Sequence, residues 1–247
     1  EIGSGLVGSE MCIRDSYTTM YLIEGEDKAV LIDTGTRCAD LDKIVGQITG
    51  KPLEVIVTHM HPDHAGCIKY FDKVWMHRAD TVLVPQHAAD YQGEFLYMEE
   101  GQVFDLGGRK LEVAWMPGHT PGSVVLLDKA NGDCYSGDAF GSGEVWLQCV
   151  PMSPIATFHE SCCRMEKLMK EGHIKDIWCG HYPYLKSSLP LAYIQTMIRI
   201  SHRLMNGDQE GSEPYSNYFI KMPPTARKLA EGRAMIVYDS TNIPEAR

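Results

Sequence analysis

The segment "THMHPDH", residues 58–64, sets three histidines and one aspartate directly behind the apolar run "LEVIV" of residues 53–57. A short, continuous, β-branched run reads as a strand buried on both faces. The ligand cluster therefore sits at a strand's carboxyl end, where loops over a rigid sheet gather catalytic groups. In extended backbone, residues two apart project to the same side, so His59 and His61 can converge on one ion. Pro62 then redirects the chain, and Asp63 and His64 can face a second ion nearby. Imidazole with carboxylate suits zinc and its first-row neighbours, iron and manganese among them. One loop cannot complete both shells. Three later residues are placed to do so: His119 in "PGHTPGS", Asp138 in "SGDAF" and His181 in "CGHYP". Each follows an apolar strand and is bracketed by glycine or proline, which permit tight turns and close backbone approach.

The rest of the chain supplies the frame. "TTMYLIEGEDKAVLIDTG" reads as a hairpin turning at Glu24–Lys28, and "CADLDKIVGQITG" as a helix closed by glycine. "KVWMH" and "KLEVAWM" read as strands around an irregular stretch from Pro85 to Gly101, and "SVVLLDKANGDCYSGD" as a hairpin turning at Asn131 and Gly132. A helix follows with Ser153 as its cap, Pro154 in its first position and Gly172 as its stop. "KDIWCGH" is a short strand delivering a histidine, "LPLAYIQTMIRISHRLMNG" a long helix, and "RAMIVYDS" a last strand. Two blocks of alternating strand and helix predict an α/β domain with two mixed sheets covered outside by helices. A single domain is expected over residues 17–247, because no linker-like tract interrupts it. Residues 1–16 look non-native: "GLVGSEMCIRDS" resembles a translated sequencing-adapter read-through and should carry no function. Its "GSGLVG" neither follows a strand nor opens a helix, so it is no dinucleotide fingerprint.

Charge and cysteine usage narrow the partners. With 23 basic against 33 acidic residues the net charge is −10, which repels phosphate backbones and anionic membranes. Nucleic acid and membrane partners are not expected; a small-molecule substrate is. Eight cysteines show no CxxC pair and no framework spacing, so they read as reduced, buried thiols of a cytoplasmic protein. No apolar stretch approaches the ~18 residues of a membrane span. The chain begins at Glu1 rather than methionine, which leaves a processed signal open. The long helix after His181 and the final strand are the surfaces considered for pairing in a homodimer.

HxHxDH followed by the GHTPGS histidine, the SGD aspartate and the GH histidine resembles the metallo-β-lactamase superfamily of hydrolases, over roughly residues 17–185. The resemblance implies a four-layer αββα sandwich with a dinuclear centre in the cleft at the sheets' edges. It implies that His59, His61 and His119 hold one metal, that Asp63, His64 and His181 hold the other, and that Asp138 bridges them. It also implies that Asp33 of "LIDTG" steadies the ligand loop from behind. Two divalent ions, zinc first, would then share a hydroxide nucleophile, with Asp63 orienting it or passing a proton. The expected reaction is hydrolysis of an ester, thioester, lactone or amide, in the manner of glyoxalase II or a lactonase. A β-lactamase proper and a persulfide dioxygenase-like mononuclear iron oxidoreductase are the alternatives within the fold. A flavodiiron oxidoreductase fits less well because His61 stands where that branch has glutamate, and a metal-binding protein without turnover is the non-enzymatic alternative.

The remaining histidines, His77, His87, His159, His173 and His202, read as surface or core residues, and Cys67 and Cys179 as thiols outside the ligand set. For the substrate pocket, Tyr91, Phe95, Tyr97, Phe140, Trp146, Tyr182 and Tyr184 compete with ordinary core packing. Tyr182, next to His181, is the expected catalytic hydroxyl, aimed at a substrate carbonyl or oxyanion. With no arginine–lysine cluster in the sequence, a small neutral or amphipathic substrate is expected.

Overall fold

The expected hairpin is present in the computed structural model, which describes residues 18–217 and 221–244. Strand β1 (Tyr21–Glu24) pairs antiparallel with β2 (Ala29–Ile32). β3 (Leu53–Ile56), β4 (Lys73–His77) and β5 (Glu94–Met98) then add in parallel, in the order β1-β2-β3-β4-β5. Helix α1 (Leu41–Ile48) connects β2 to β3 and buries Leu41 and Val45. β5 lies inside the stretch expected to be irregular. Only its Met98 is buried, as befits an edge strand, so "EFLYM" carries no clean alternation to read.

The second sheet is built from β6 (Val103–Asp105), β7 (Lys110–Trp115), β8 (Val124–Asp128) and β9 (Asp133–Gly137). The β8–β9 hairpin turns at Asn131-Gly132 as expected, with Gly132 at φ 80°. β10 (Glu144–Trp146) leaves this sheet, and β11 (Asp176–Cys179) returns to pair parallel with β9. Beyond the two sheets expected, β12 (Glu213–Pro214), β13 (Ala226–Glu231) and β14 (Ala234–Asp239) join β10 in a third, four-stranded sheet. "ARKLAE" in β13 has charged residues in mid-strand and β10 has three residues, so neither announces itself by periodicity.

Period-two alternation sorts the core into layers. Tyr21, Ile23, Val30, Ile32 and Ile56 face Leu111, Val113, Val124, Leu126 and Tyr135 between the sheets. Their neighbours Leu22, Leu31, Val55 and Val57 pack outward with Leu41 and Val45 of α1. On the far side Val125, Leu127 and Cys134 meet two long helices, whose Phe158, Cys162 and Met165 and Tyr193, Met197 and Ile200 are buried. Each fully buried Leu, Phe or Met contributes about 1.5–3 kcal/mol. This is the expected αββα arrangement. The first long helix (Ile155–Lys170) starts one residue later than predicted: Pro154 takes the cap position, its ψ of 144° being extended. The second (Leu191–Met205) spans the predicted stretch. No helix among the described residues is long and apolar enough to cross a membrane. Residues 1–16 lie outside the described residues.

At one end the two main sheets are tied together. The Val124 N–H donates to the Thr58 carbonyl (3.0 Å) and the Thr19 N–H to the Gly180 carbonyl (2.6 Å). The Tyr21 hydroxyl, buried between the sheets, donates to the Cys179 carbonyl (2.6 Å). These ties, with the Gly180 N–H donating to the Gly137 carbonyl (2.7 Å) at the end of β9, bring the ends of β3, β9 and β11 to one place.

Candidate metal centre

His59 and His61 follow β3, the chain bending at Thr58 and His59, and His61, extended at φ −74° and ψ 148°, precedes a one-turn helix, Pro62–Ala65. Pro62 at its first position lacks only an N–H that would have no partner there. The turn carries Asp63 and His64 away from the first two histidines. His119 comes from the loop between β7 and β8, Asp138 from the end of β9 and His181 from the end of β11.

These seven side chains form two groups. His59, His61 and His119 offer nitrogens within 4.8 Å of one another, and so do the donor atoms of Asp63, His64, Asp138 and His181. His61 Nδ1 stands 2.9 Å from His119 Nε2. Asp138 Oδ2 lies 3.1 Å from His181 Nε2, 3.6 Å from His64 Nε2 and 3.9 Å from His119 Nε2, so this carboxylate adjoins both groups. His181 Nε2 is 3.4 Å from Asp63 Oδ2.

Hydrogen bonds behind the rings aim their other nitrogens inward. His64 Nδ1–H donates to Asp33 Oδ2 (2.7 Å) and His119 Nδ1–H to the Trp146 carbonyl (2.8 Å). The Thr58 hydroxyl donates to Asp33 (3.0 Å), so its lone pair is left to accept from His59 Nδ1 (3.1 Å). The buried Nε2 atoms of His59 and His64, and Oδ1 of Asp138, then have no hydrogen-bond partner. A buried polar atom without a partner costs about 1–3 kcal/mol. Nitrogen and oxygen donors left bare in this way fit divalent cations.

Electrostatics differ between the groups. Burial, with the other histidines around it, holds His59 well below the usual imidazole range. Burial and His119 bring His61 down to about 3, and burial lowers His119 against the pull of Asp138. Three neutral imidazoles therefore face one another. In the second group burial opposes charge, but opposite charges prevail. Asp33, Asp63 and Asp138 raise His64 to about 10, and Asp138 and Asp63 raise His181 well above its ordinary value. His64 and His181 in turn keep Asp63 and Asp138 well below the carboxylate range.

Asp33 anchors the ligand loop as expected. It is buried, sits at φ 62°, and also accepts the Thr58 N–H (2.7 Å). A second buried carboxylate, Asp80, escaped the sequence reading. It accepts the N–H groups of Met60 (2.9 Å) and Gly122 (2.6 Å) and the Thr120 hydroxyl (3.0 Å), tying the His59–His61 loop to the His119 loop. Gly180 packs so closely that a Cβ there would come within 2.5 Å of Asp138 Oδ1 and His64 Cε1.

A cleft of about 1110 Å³ opens over His61, Asp63, His119, Asp138 and His181. Tyr182 is not among its lining residues; the ring lies 5.9 Å from that of Trp178. Tyr184 lines the cleft instead, its ring 5.7 Å from that of His181. The reason is local: Tyr182–Leu185 is a helical turn, on which residue i+3 rather than i+1 returns to the side of His181. Of the other aromatic candidates Trp146 lines the cleft, whereas Phe140 is fully buried in the core. Tyr91 and Phe95 pack against each other with tilted rings at 4.7 Å, and Tyr97 lies under Arg78. His87, read as an ordinary histidine, lines the cleft 5.9 Å from the His61 ring. Arg37 and Arg233, far apart in sequence, line it too. Neither Cys67 nor Cys179 belongs to either donor group; Cys67 Sγ accepts the Cys38 N–H (3.1 Å).

A family model described as the metallo-beta-lactamase superfamily matches residues 13–159. The chain is similar to the acyl-coenzyme A thioesterase MBLAC2 of Homo sapiens, 26% identical over 202 residues that cover 66% of this chain and 72% of that protein. It is similar to the hydroxyacylglutathione hydrolase of Aeromonas salmonicida, 27% identical over 184 residues that cover 72% of this chain and 65% of that one. Among solved structures, that of TTHA1623 in a di-iron-bound form superposes with a TM-score of 0.57 at 26% identity, covering 71% of this chain and 91% of that one.

Proposed function

Because this chain belongs to the metallo-beta-lactamase superfamily, we propose that it is a hydrolase that uses two divalent cations to cleave the thioester of a small molecule. The observation that carries the reading is the pair of donor groups adjoining through Asp138, with bare buried nitrogens on His59 and His64. His59, His61 and His119 would hold one ion and Asp63, His64, Asp138 and His181 the other. Cations bound there supply Lewis acidity, which activates water at neutral pH and polarises an acyl carbonyl. Zinc suits this imidazole–carboxylate set, and iron is the alternative that the di-iron form of TTHA1623 represents.

The chain's own groups take the remaining roles. Asp63 lines the cleft beside the donor groups, so its carboxylate can orient a water. Pro62, Val145, Trp146 and Met235 give the acyl group an apolar wall. Hydrolysis forms a C–O bond from water, breaks the C–S bond, and releases a carboxylate and a thiol. Two relatives support the thioester class, since an acyl-coenzyme A and an acylglutathione are both thioesters.

The test is thiol release from a panel of thioesters, alongside lactones, esters and β-lactams, by protein stripped with chelator and reloaded with zinc, iron or manganese. Thioester cleavage should depend on the metal and vanish in His119→Ala. No hydrolysis in any metal form, or a single iron with oxygen consumption on glutathione persulfide, would overturn the reading.

A further inference from the structure

We propose that Arg37 and Arg233 form an anion-binding pair in the cleft, and that the substrate's thiol half carries carboxylate or phosphate. The proposal rests on the thioester-hydrolase reading and narrows it to one class of thiol carrier.

Partner bookkeeping among the arginines carries it. Among the described residues Arg109, Arg164, Arg199 and Arg203 bind Asp128, Glu100, Glu231 and Asp208. Arg227 donates to Ser212, and Arg78 stacks 4.0 Å over Tyr97. Among the described residues Arg37 and Arg233 are left with no side-chain ion pair, hydrogen bond or ring contact, and both line the cleft over the donor groups. The acidic cleft residues are already engaged. Asp63 and Asp138 face His64 and His181, and the Glu144 carboxylate accepts the Trp146 indole and the Tyr215 hydroxyl at 2.9 Å each. In a chain of net charge −10, two exposed and unengaged guanidiniums in one cleft are the exception to be explained.

Their placement is held by the fold. Arg37 sits at φ 56°, a left-handed conformation costly for a residue with a side chain. It is bracketed by the Gly35–Ala65 bridge and the Cys38–Cys67 hydrogen bond, so the backbone is pinned on both sides. Arg233 follows Gly232, at φ 60°, in the turn between β13 and β14. A guanidinium is always charged, and its planar fork matches carboxylate and phosphate oxygens bidentately. With the apolar wall beside them, the two arginines suit a substrate with an apolar acyl half and an anionic thiol half.

The test compares three butanoyl thioesters: of glutathione, carrying carboxylates; of coenzyme A, carrying phosphates; and of neutral N-acetylcysteamine. Zinc-loaded protein should favour at least one anionic thioester by tenfold or more in kcat/KM. Arg37→Gln/Arg233→Gln should raise the KM for that substrate about tenfold, leave the neutral one unchanged, and lose the salt dependence of KM. The Arg37→Lys/Arg233→Lys variant should recover part of the loss. Whichever carrier is preferred identifies the anion. Calorimetric binding of S-butylglutathione and S-butyl-coenzyme A, neither of which can be hydrolysed, reads the pair apart from catalysis. Binding that the Gln variant loses, without turnover of any thioester, would uphold the pair and sink the hydrolase reading. Equal kcat/KM for charged and neutral thioesters, failure of both thioethers to bind, or binding unchanged in the Gln variant would overturn the pair.

Discussion

Asp33 Oδ2 and His64 Nδ1 stand 2.7 Å apart, both buried, with the carboxylate held at φ 62° and its other oxygen on the Thr58 N–H. One residue thus aims His64 and fixes the start of the histidine loop. Asp33→Asn keeps the shape and tolerates positive φ, but loses the charge that orients the ring. The second donor group should lose about 10–100-fold in zinc affinity while the first changes little, as read by titration with a competing chelator. Equal loss at both sites would contradict this division.

The pH dependence of the metal-free protein follows from the same pair. The folded pKa of His64 is about 10 against 6.5 ordinarily, and that of His181 is also raised. Their protonation stabilises the fold fully below about 6.5, and the stabilisation is lost as pH rises through about 10. The depressed carboxylates of Asp63 and Asp138 act oppositely: their stabilisation is present above about 4 and lost as pH falls. His59, His61 and His119, held neutral by burial, cost stability as pH falls below about 6.5, so chelated protein should have its highest Tm at about pH 6.5, falling on both sides, and Asp33→Asn should flatten the alkaline fall. Cations replace the two protons, so metal affinity should rise with pH and loading should release protons.

Asp80 ties together two loops that share no sequence neighbourhood. Asp80→Ala leaves the buried N–H groups of Met60 and Gly122 without acceptors, at roughly 1–3 kcal/mol each, so a loss of ~2–6 kcal/mol is expected in denaturant unfolding of the chelated protein. Zinc titration should show the three-histidine group weakened more than the other. Asp80→Asn retains an acceptor and should lose less on both counts. Were metal affinity unchanged in Asp80→Ala, the carboxylate would be structural only.

Gly180 separates His181 from β11 where no side chain fits. Gly180→Ala places a methyl within 2.5 Å of Asp138 Oδ1 and His64 Cε1, so one of them must move. The expected outcome is fewer than two zinc ions per chain after dialysis, with near-native far-UV circular dichroism. Full zinc loading would show that the site relaxes around the methyl.

The two donor groups were legible because their chemistry is written locally. "THMHPDH" carries four of the seven side chains, and alternation around Pro62 already divides them into pairs. His119, Asp138 and His181 each end an apolar strand beside glycine or proline, the sign of a chain turning tightly at a sheet's edge. Sheet pairing then brings these ends together, as the bonds from Val124 to Thr58 and from Thr19 to Gly180 record. Tyr182 was misplaced because adjacency was read as proximity, where a helical turn puts Tyr184 over the cleft.

Sequence alone determined strands β1–β4, β7–β9, β11 and β14, the mixed α/β class and the seven clustered side chains, since backbone periodicity and ligand spacing act over a few residues. Tertiary structure decided what surrounds them. Asp80 reaches the site from a 3-10 helix (Arg78–Leu83), Arg37 from a loop, His87 from a short helix and Arg233 from the turn that opens β14 in the third sheet. A lone aspartate, histidine or arginine carries no local pattern, and only long-range packing decides whether it faces solvent, core or cleft.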